Sequence, residues 1–153
     1  MQPIPEQKRW DIDALSEIRC EYFLSPTSRN AYKHILTVRY TGLYRVGCKG
    51  GPDATYMQAV AAAGLVATSA NGLIVDFTAL DYKWGDDLER VYDVATDWPY
   101  RGASLPFALV LGEHCRTAVI SLACQGQTLQ EPEDWMFDTF PEAWQYVDER
   151  IRA

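Results

Sequence analysis

Residues 73–95 read LIVDFTALDYKWGDDLERVYDVA and contain a change of hydrophobic period. Residues 73–77 form a short, nearly continuous apolar run entered through Asn71-Gly72, a pattern typical of a strand buried on both faces. From residue 88 onward, the apolar residues recur at the spacing of one helix face: Leu88, Val91, Tyr92 and Ala95. This stretch therefore predicts a buried strand, a tight acidic turn and an amphipathic helix.

The predicted turn and the outer face of this helix are strongly acidic, and aromatic residues flank them. Tyrosine and tryptophan are enriched at the centre of protein interfaces, because a flat amphipathic ring buries a large area at a small loss of conformational entropy. The alternative is that the acidic helix is only a solvated face. We predict a partner-binding surface made of Asp81, Trp84, Asp86, Asp87, Glu89, Asp93, Asp97, Trp98 and Tyr100.

The length of 153 residues suits a single globular domain with its own core. We predict an N-terminal arm over residues 1–16, with a possible short helix at residues 11–18, and one domain over residues 17–153. No apolar run approaches the length of a membrane span, and the N-terminus lacks the apolar region of a signal peptide. Four scattered cysteines without a C-x-x-C pair are expected to be reduced thiols. A cytoplasmic protein is predicted.

The net charge of −7 is unevenly distributed along the chain. Residues 1–49 carry eight Lys and Arg against five Asp and Glu, whereas residues 50–153 carry six against sixteen. A nucleic-acid surface would need a basic stripe, so the acidic second part argues against nucleic acid as a partner. The charge favours either a basic protein partner or simple solubility.

The remaining segments predict an alternation of strands and helices. Residues 18–24 and 32–46 are rich in β-branched and aromatic types and are separated by turn residues, which indicates an antiparallel hairpin. The other predicted elements are a helix at 54–69 capped by Asp53 or Thr55, a strand at 105–111, a helix at 113–124, a strand at 134–137 and a helix opened by a T-x-x-E capping box at 139–142. The apolar spacing at 113–124 also fits a strand, and we favour a helix because a crossover is needed before the next strand. The order predicts an α/β domain with an N-terminal antiparallel hairpin, parallel central strands and packing helices.

This order resembles the STAS domains of anti-sigma factor antagonists and anion-transporter tails. Val75-Asp76-Phe77 is similar to the end of the strand that precedes the signature loop of that family. Residues 105–124 and 135–144 resemble its next strand and helix, and its last strand and helix start. The resemblance implies a STAS-like mixed sheet and a protein-binding regulator without enzymatic activity.

The signature loop departs from the family pattern. In regulatory STAS domains this loop holds a serine or threonine that a partner kinase phosphorylates. In this chain that position falls at or beside Gly85, and the only hydroxyl residues between Tyr82 and Asp97 are Tyr92 and Thr96. The sequence therefore predicts that this loop is not a phosphorylation switch.

No motif predicts catalysis, a metal or a cofactor. A carboxylate pair or a cation site would have to come from a group that lacks the D-x-D-x-D-G spacing: Asp76, Asp81, Asp86 and Asp87. The adjacent His114 and Cys115 point apart on one element, and His34 lies in a predicted strand. The glycines of residues 47–51 do not match a phosphate-binding loop. We expect no enzyme, no metal and no cofactor.

Two functions remain after these exclusions. The first is an immunity protein, or antitoxin, that binds and neutralises a basic bacterial toxin through the acidic, aromatic-flanked surface. The alternative is a STAS-type regulator, like an anti-sigma factor antagonist, in a signalling pathway. Both are protein-binding modules. The first places the partner at residues 81–101, and the second would be switched.

Overall fold

The computed structural model describes residues 1–96, 104–125 and 131–152. Its strands and α-helices are β1 (Arg19–Pro26), β2 (His34–Leu43), α1 (Gly51–Thr68), β3 (Gly72–Asp81), α2 (Arg90–Thr96), β4 (Phe107–Leu111), α3 (Arg116–Ala123), β5 (Met136–Phe137) and α4 (Phe140–Arg150). Short 3-10 turns precede β1 and α1, at Ile12–Leu15 and Cys48–Gly50. None of the described helices is long and apolar enough to span a bilayer. The predicted order of strands and helices is confirmed.

The five strands form one sheet in the order β1-β2-β3-β4-β5. β1 and β2 are an antiparallel hairpin whose register runs unbroken from the Arg19–Thr41 pair to the Pro26–His34 pair. β2, β3, β4 and β5 are parallel to one another. The arrangement expected from the sequence, an antiparallel hairpin followed by parallel central strands, is therefore confirmed.

β3 lies at the centre of the sheet and is buried on both faces. Leu73, Val75 and Phe77 belong to the larger core, which α1, α2 and α3 cover. Ile74 belongs to a second core on the opposite face, where Val147 and other residues of α4 pack on it. Full burial of such an aliphatic side chain contributes about 1.5–3 kcal/mol, which explains why the central strand tolerates few polar residues.

Asp76 is the charged residue within this buried run, and its neighbours satisfy it. Its carboxylate accepts a hydrogen bond of 3.0 Å from Arg39 Nε on β2. It also accepts from the main-chain N–H and the hydroxyl of Thr78, at 2.8 and 2.5 Å. These hydrogen bonds offset the cost of burying the Asp76 carboxylate, which therefore has a structural role.

Three helices begin at residues other than those predicted. One of them is α3, which begins at Arg116 instead of residue 113. α1 begins at Gly51, so Asp53 lies inside the helix instead of capping it. Asp53 is buried and accepts hydrogen bonds from Arg45 Nε at 3.0 Å and from the Ser16 hydroxyl at 2.5 Å. α2 begins only at Arg90 and has seven residues, so the preceding acidic residues lie in a turn and not on the helix.

The start of α4 is as predicted, but the capping box is not formed. Thr139 is the N-cap residue, and its side chain makes no hydrogen bond to the main chain of the first turn. Its hydroxyl instead contacts the Glu142 carboxylate at 2.6 Å. The two side chains therefore bond each other, in place of the reciprocal bonds to main-chain N–H groups.

The turn between β1 and β2, residues 27–33, is tied to the C-terminal end of α4. The Ser28 main-chain N–H and hydroxyl donate to the Asp148 carboxylate at 2.8 and 2.5 Å. Arg29 Nη2 donates to three carbonyl oxygens, those of Asp148, Glu149 and Ile151, at 3.0, 3.2 and 2.6 Å. A cation that contacts the last carbonyls of a helix also interacts favourably with the helix dipole. We call this turn the hairpin turn.

Candidate partner-binding site beside the acidic turn

Residues 82–89, which we call the acidic turn, border a cleft of about 770 Å³. Because β3 and β4 are parallel, the segments that follow them leave the sheet at the same edge. The acidic turn therefore faces the segment that leads into α3. The cleft is lined by Tyr82, Lys83, Trp84, Gly85, Asp86, Asp87, Glu89, Glu113, His114, Cys115, Thr117, Ala118, Ser121, Leu122 and Gln125.

Two tyrosine hydroxyls donate hydrogen bonds to the main chain of the acidic turn. Tyr82 donates to the Gly85 carbonyl at 2.9 Å, and Tyr44 donates to the Asp86 carbonyl. The two rings pack edge to face, with centroids 5.0 Å apart. Burial raises the pKa of both hydroxyls above the ordinary tyrosine value, so both remain protonated donors at neutral pH. The main chain of the turn is thus fixed at two successive carbonyls.

The loop before α1 supports the acidic turn from the side. Gly47 and Gly85 form an isolated β-bridge, and the Asp86 N–H donates to the Gly47 carbonyl at 3.2 Å. Gly47 has φ of 63°, which favours glycine, and a Cβ there would lie 3.0 Å from the Trp84 ring. One part of the indole therefore rests on main chain, while the Trp84 side chain as a whole is 62% exposed.

Gly85 occupies a position with little room for a side chain. A Cβ at this residue would lie 3.1 Å from the Arg45 carbonyl oxygen and 3.1 Å from the Tyr44 ring. A serine or threonine here would force the turn to shift by a few tenths of an ångström. The absence of a phosphorylatable residue, noted from the sequence, is thus matched by the packing of the turn.

The exposed carboxylates of the cleft come from both walls. Asp86 and Glu89 belong to the acidic turn, and Glu113 lies opposite them. Glu113 Oε1 is 3.2 Å from His114 Nε2, and Lys83 is the cationic residue of the turn. The wall formed by the turn is therefore predominantly negative, as the sequence predicts.

Asp87 has a different environment from the other acidic residues of the turn. It is partly buried, has φ of 74°, and its carboxylate is 3.3 Å from Arg90 Nη2. The same carboxylate lies 3.8 Å from the point where a Cβ of Gly51 would be, at the start of α1. A negative charge is stabilised at a helix N-terminus. Asp87 therefore contributes to the shape of the turn, in addition to lining the cleft.

The other predicted interface residues are distributed as follows. Asp81 ends β3, is partly buried and does not line the cleft. Asp93 is exposed on α2 and also lies outside the cleft lining, and its N–H donates to the Glu89 carbonyl at 3.2 Å. Asp97, Trp98 and Tyr100 fall outside the described residues, so their place in the surface stays a prediction.

Sequence reasoning missed the second wall of the cleft. This wall contains polar residues of α3 and of the segment before and after it: Glu113, His114, Thr117, Ser121 and Gln125. The signal that could have found it is the predicted pair of parallel strands, because segments that follow neighbouring parallel strands meet at one edge of the sheet.

Cys115, at the base of the cleft, has the environment of an inert thiol. The residue is buried, and its sulfur lies 3.5 Å from the Phe77 carbonyl oxygen. Burial raises the pKa of the thiol to about 11, so the thiol stays protonated at neutral pH and is a poor nucleophile. Within the described ranges, no three His, Cys, Asp or Glu side chains are grouped so that they could hold a metal ion.

No family model matches the sequence, and no curated protein matches it significantly. Among the solved structures that are similar to it are the following two. The unphosphorylated anti-sigma factor antagonist SpoIIAA is 14% identical, with a TM-score of 0.43 over 84% of this chain and 96% of that chain. An uncharacterized DUF3478 protein with a SpoIIAA-like fold, from Shewanella loihica PV-4, is 14% identical, with a TM-score of 0.44 over 86% and 96%. Both chains are similar to this one in fold alone.

Proposed function

We propose that this chain is a non-enzymatic, STAS-type regulator that binds a basic protein partner at the cleft beside the acidic turn. The observation that carries this proposal is the exposed indole of Trp84, which lies against Gly47 on a turn whose main chain is held by two tyrosine hydroxyls. An exposed tryptophan in a polar turn is the kind of residue that becomes an interface anchor when a partner covers it.

The acidic turn is already ordered in the free protein, which lowers the entropy cost of binding a partner. Ordering a flexible loop and its side chains opposes association, by about 0.5–1.5 kcal/mol for each immobilised side chain. The bonds from Tyr44 and Tyr82 and the bridge between Gly47 and Gly85 already fix this turn in the free protein. A partner would therefore meet a preformed surface.

The carboxylates around Trp84 favour a basic partner. Asp86, Glu89 and Glu113 are exposed, so they would act mainly on the association rate and its dependence on salt. A lysine or arginine of the partner that enters the cleft could contact both a carboxylate and the face of the indole. This pairing of an aromatic anchor with acidic neighbours is the basis for the expected partner chemistry.

Regulation by phosphorylation of the acidic turn is not part of the proposal. The turn contains no serine or threonine, and the packing around Gly85 supports glycine there. A cytoplasmic location stays a prediction, which four free thiols support. The immunity hypothesis would use the same surface and also stays a prediction, since no observation on the described residues points to a toxin.

The proposal is tested by capture of partners from a lysate of the source organism with wild-type protein and two tryptophan variants. Trp84→Ala removes the proposed anchor, whereas Trp10→Ala removes an indole that is 71% exposed in the N-terminal segment. We expect a basic protein that binds wild type and Trp10→Ala but not Trp84→Ala. With that protein purified, Trp84→Ala should raise the dissociation rate about 30-fold, equivalent to about 2 kcal/mol. Equal binding by all three proteins would contradict the proposal.

A further inference from the structure

We propose that β1 pairs with β1 of a second copy of this chain, about a two-fold axis that passes beside Tyr22, and so joins two sheets into one. Within the described part of the chain β1 pairs with β2 alone, so it is an edge strand of the sheet. This inference is independent of the proposed function, because β1 and the acidic turn lie in different parts of the sheet.

The hairpin register shows which main-chain groups of β1 are free. In an antiparallel pair, every second residue exchanges hydrogen bonds with its partner strand, and the residues between point their N–H and C=O groups the other way. The Thr27 N–H donates to the Lys33 carbonyl at 2.9 Å, and the register from there along β1 is unbroken. The outward groups therefore belong to Cys20, Tyr22 and Leu24, and then to Pro26, which has no N–H to leave unpaired.

The outward N–H and C=O groups of β1 are complementary to the same groups of a second, antiparallel copy of β1. If Tyr22 faces Tyr22 of the second copy, Cys20 faces Leu24, and every outward N–H of these three residues meets a carbonyl. Three donors from each copy then form six hydrogen bonds. A shift by two residues brings Pro26, which lacks a donor, or Ile18, whose N–H already donates to the Ser16 hydroxyl at 3.1 Å, into the ladder.

The side chains of β1 also favour a covered edge. Tyr22, Phe23 and Leu24 are consecutive apolar residues that are 47%, 43% and 50% exposed. A long apolar edge strand of this kind is an aggregation hazard unless another strand pairs with it. The Tyr22 ring is already fixed, because its hydroxyl donates to the Val60 carbonyl at 2.5 Å.

The distribution of charge permits two copies to approach through β1. Residues 1–49, which contain the whole hairpin, carry eight Lys and Arg against five Asp and Glu. The strand itself carries one charge of each sign, on Arg19 and Glu21. The acidic turn follows β3, two strands away, so the most negative surfaces of the two copies would remain apart.

The first measurement is the mass of the full chain by sedimentation over a wide range of concentration. We expect a dimer with twice the chain mass of 17.3 kDa. Leu24→Pro removes an outward N–H that the hairpin does not use, and should weaken dimerisation at least about 10-fold with the monomer still folded. Leu24→Lys should do the same, whereas Leu43→Lys, at a residue of β2 that is 58% exposed, should not.

Hydrogen exchange of single amides tests the register directly. The amides of Tyr22 and Leu24 should become protected as the concentration rises, whereas those of Phe23 and Ser25, which bond β2, should be protected at every concentration. A chain that stays monomeric throughout overturns the proposal. So does a dimer that Leu24→Pro leaves unchanged, or one in which the Tyr22 and Leu24 amides still exchange freely, since its interface lies elsewhere.

Discussion

The hairpin turn and the acidic turn are both held by side-chain hydrogen bonds, but they use their polar residues in opposite ways. In the hairpin turn, Ser28 and Arg29 direct their polar groups inward, onto the last turn of α4. In the acidic turn, the bonds come from tyrosines beneath, and Asp86 and Glu89 face solvent. A turn whose polar side chains bond the rest of the domain stabilises the fold. A turn whose main chain is held by other residues keeps its own charged side chains available for a partner.

The largest loss in the free energy of unfolding is expected from a substitution that releases the hairpin turn. Asp148→Ala removes the carboxylate that accepts two bonds from Ser28, and hydrogen bonds to a charged group contribute about 1.5–3 kcal/mol each. We expect the free energy of unfolding to fall by about 3 kcal/mol, measured by urea denaturation. Asp86→Ala, the matched change in the acidic turn, should alter stability by less than about 0.5 kcal/mol. Similar losses for the two variants would remove the distinction between the turns.

Gly85→Ser tests whether the acidic turn is as tightly built as its contacts indicate. The new Cβ would be crowded by the Arg45 carbonyl and the Tyr44 ring, and crowding of this kind costs about 1–3 kcal/mol. We expect a stability loss of about 2 kcal/mol for Gly85→Ser.

Wild type is expected not to be phosphorylated in this turn. Intact-mass analysis of wild type after co-expression with anti-sigma-type kinases should show no phosphate on residues 82–94.

The outcome of Gly85→Ser also decides how rigid the turn is. A variant as stable as wild type would mean that the turn yields easily.

Tyr44→Phe separates support of the acidic turn from support of the core. The change removes the hydroxyl that donates to the Asp86 carbonyl, and should cost about 1 kcal/mol of stability and raise the dissociation rate of the partner several-fold. Tyr40→Phe is the control, because the Tyr40 hydroxyl donates to the Met57 carbonyl at 2.5 Å within the core. It should lose similar stability with partner binding unchanged. Equal effects on binding would show that Tyr44 acts only through overall stability.

The smallest effect on stability, and a distinct one on kinetics, is expected from charge reversal in the acidic turn. Asp86→Lys with Glu89→Lys should slow association with a basic partner and flatten its salt dependence, since these residues are exposed. Glu6→Lys with Glu149→Lys is the control, since these two exposed residues do not line the cleft and their reversal changes the net charge by the same amount. Association rates that respond equally to both changes would show that only the overall charge of the protein matters.

Local patterns predicted the elements of this fold, because each pattern reports a periodicity that burial imposes. The apolar run at residues 73–77 is buried, and Leu88, Val91 and Ala95 face the core. The start of α2 could not be predicted in this way. Leu88 lies at helical spacing from the residues that follow it, yet it belongs to the turn, so its spacing reports burial and not main-chain conformation.

The contacts that shape the candidate site join residues far apart in the sequence, which limits what could be predicted. Tyr44 and Gly47 precede the acidic turn by a helix and a strand, and nothing in the local pattern marks them as its support. The sequence predicts Asp53 or Thr55 as the cap of α1, but the partners of Asp53 are Ser16 and Arg45, which only the fold brings to it. The acidity of the turn was predicted correctly because charge is a property of the residues themselves.

The bonds from the hairpin turn to α4 also bear on the order in which the chain matures. Ser28 and Arg29 contact residues that lie about 120 positions later in the sequence. Because synthesis proceeds from the N-terminus, the β1–β2 hairpin emerges from the ribosome long before its partners on the last helix exist. Contacts of such high sequence separation form late and slow the completion of folding. The hairpin is therefore synthesised well before the residues that fix its turn, and it must stay protected from misassembly until residues 148–151 have been synthesised.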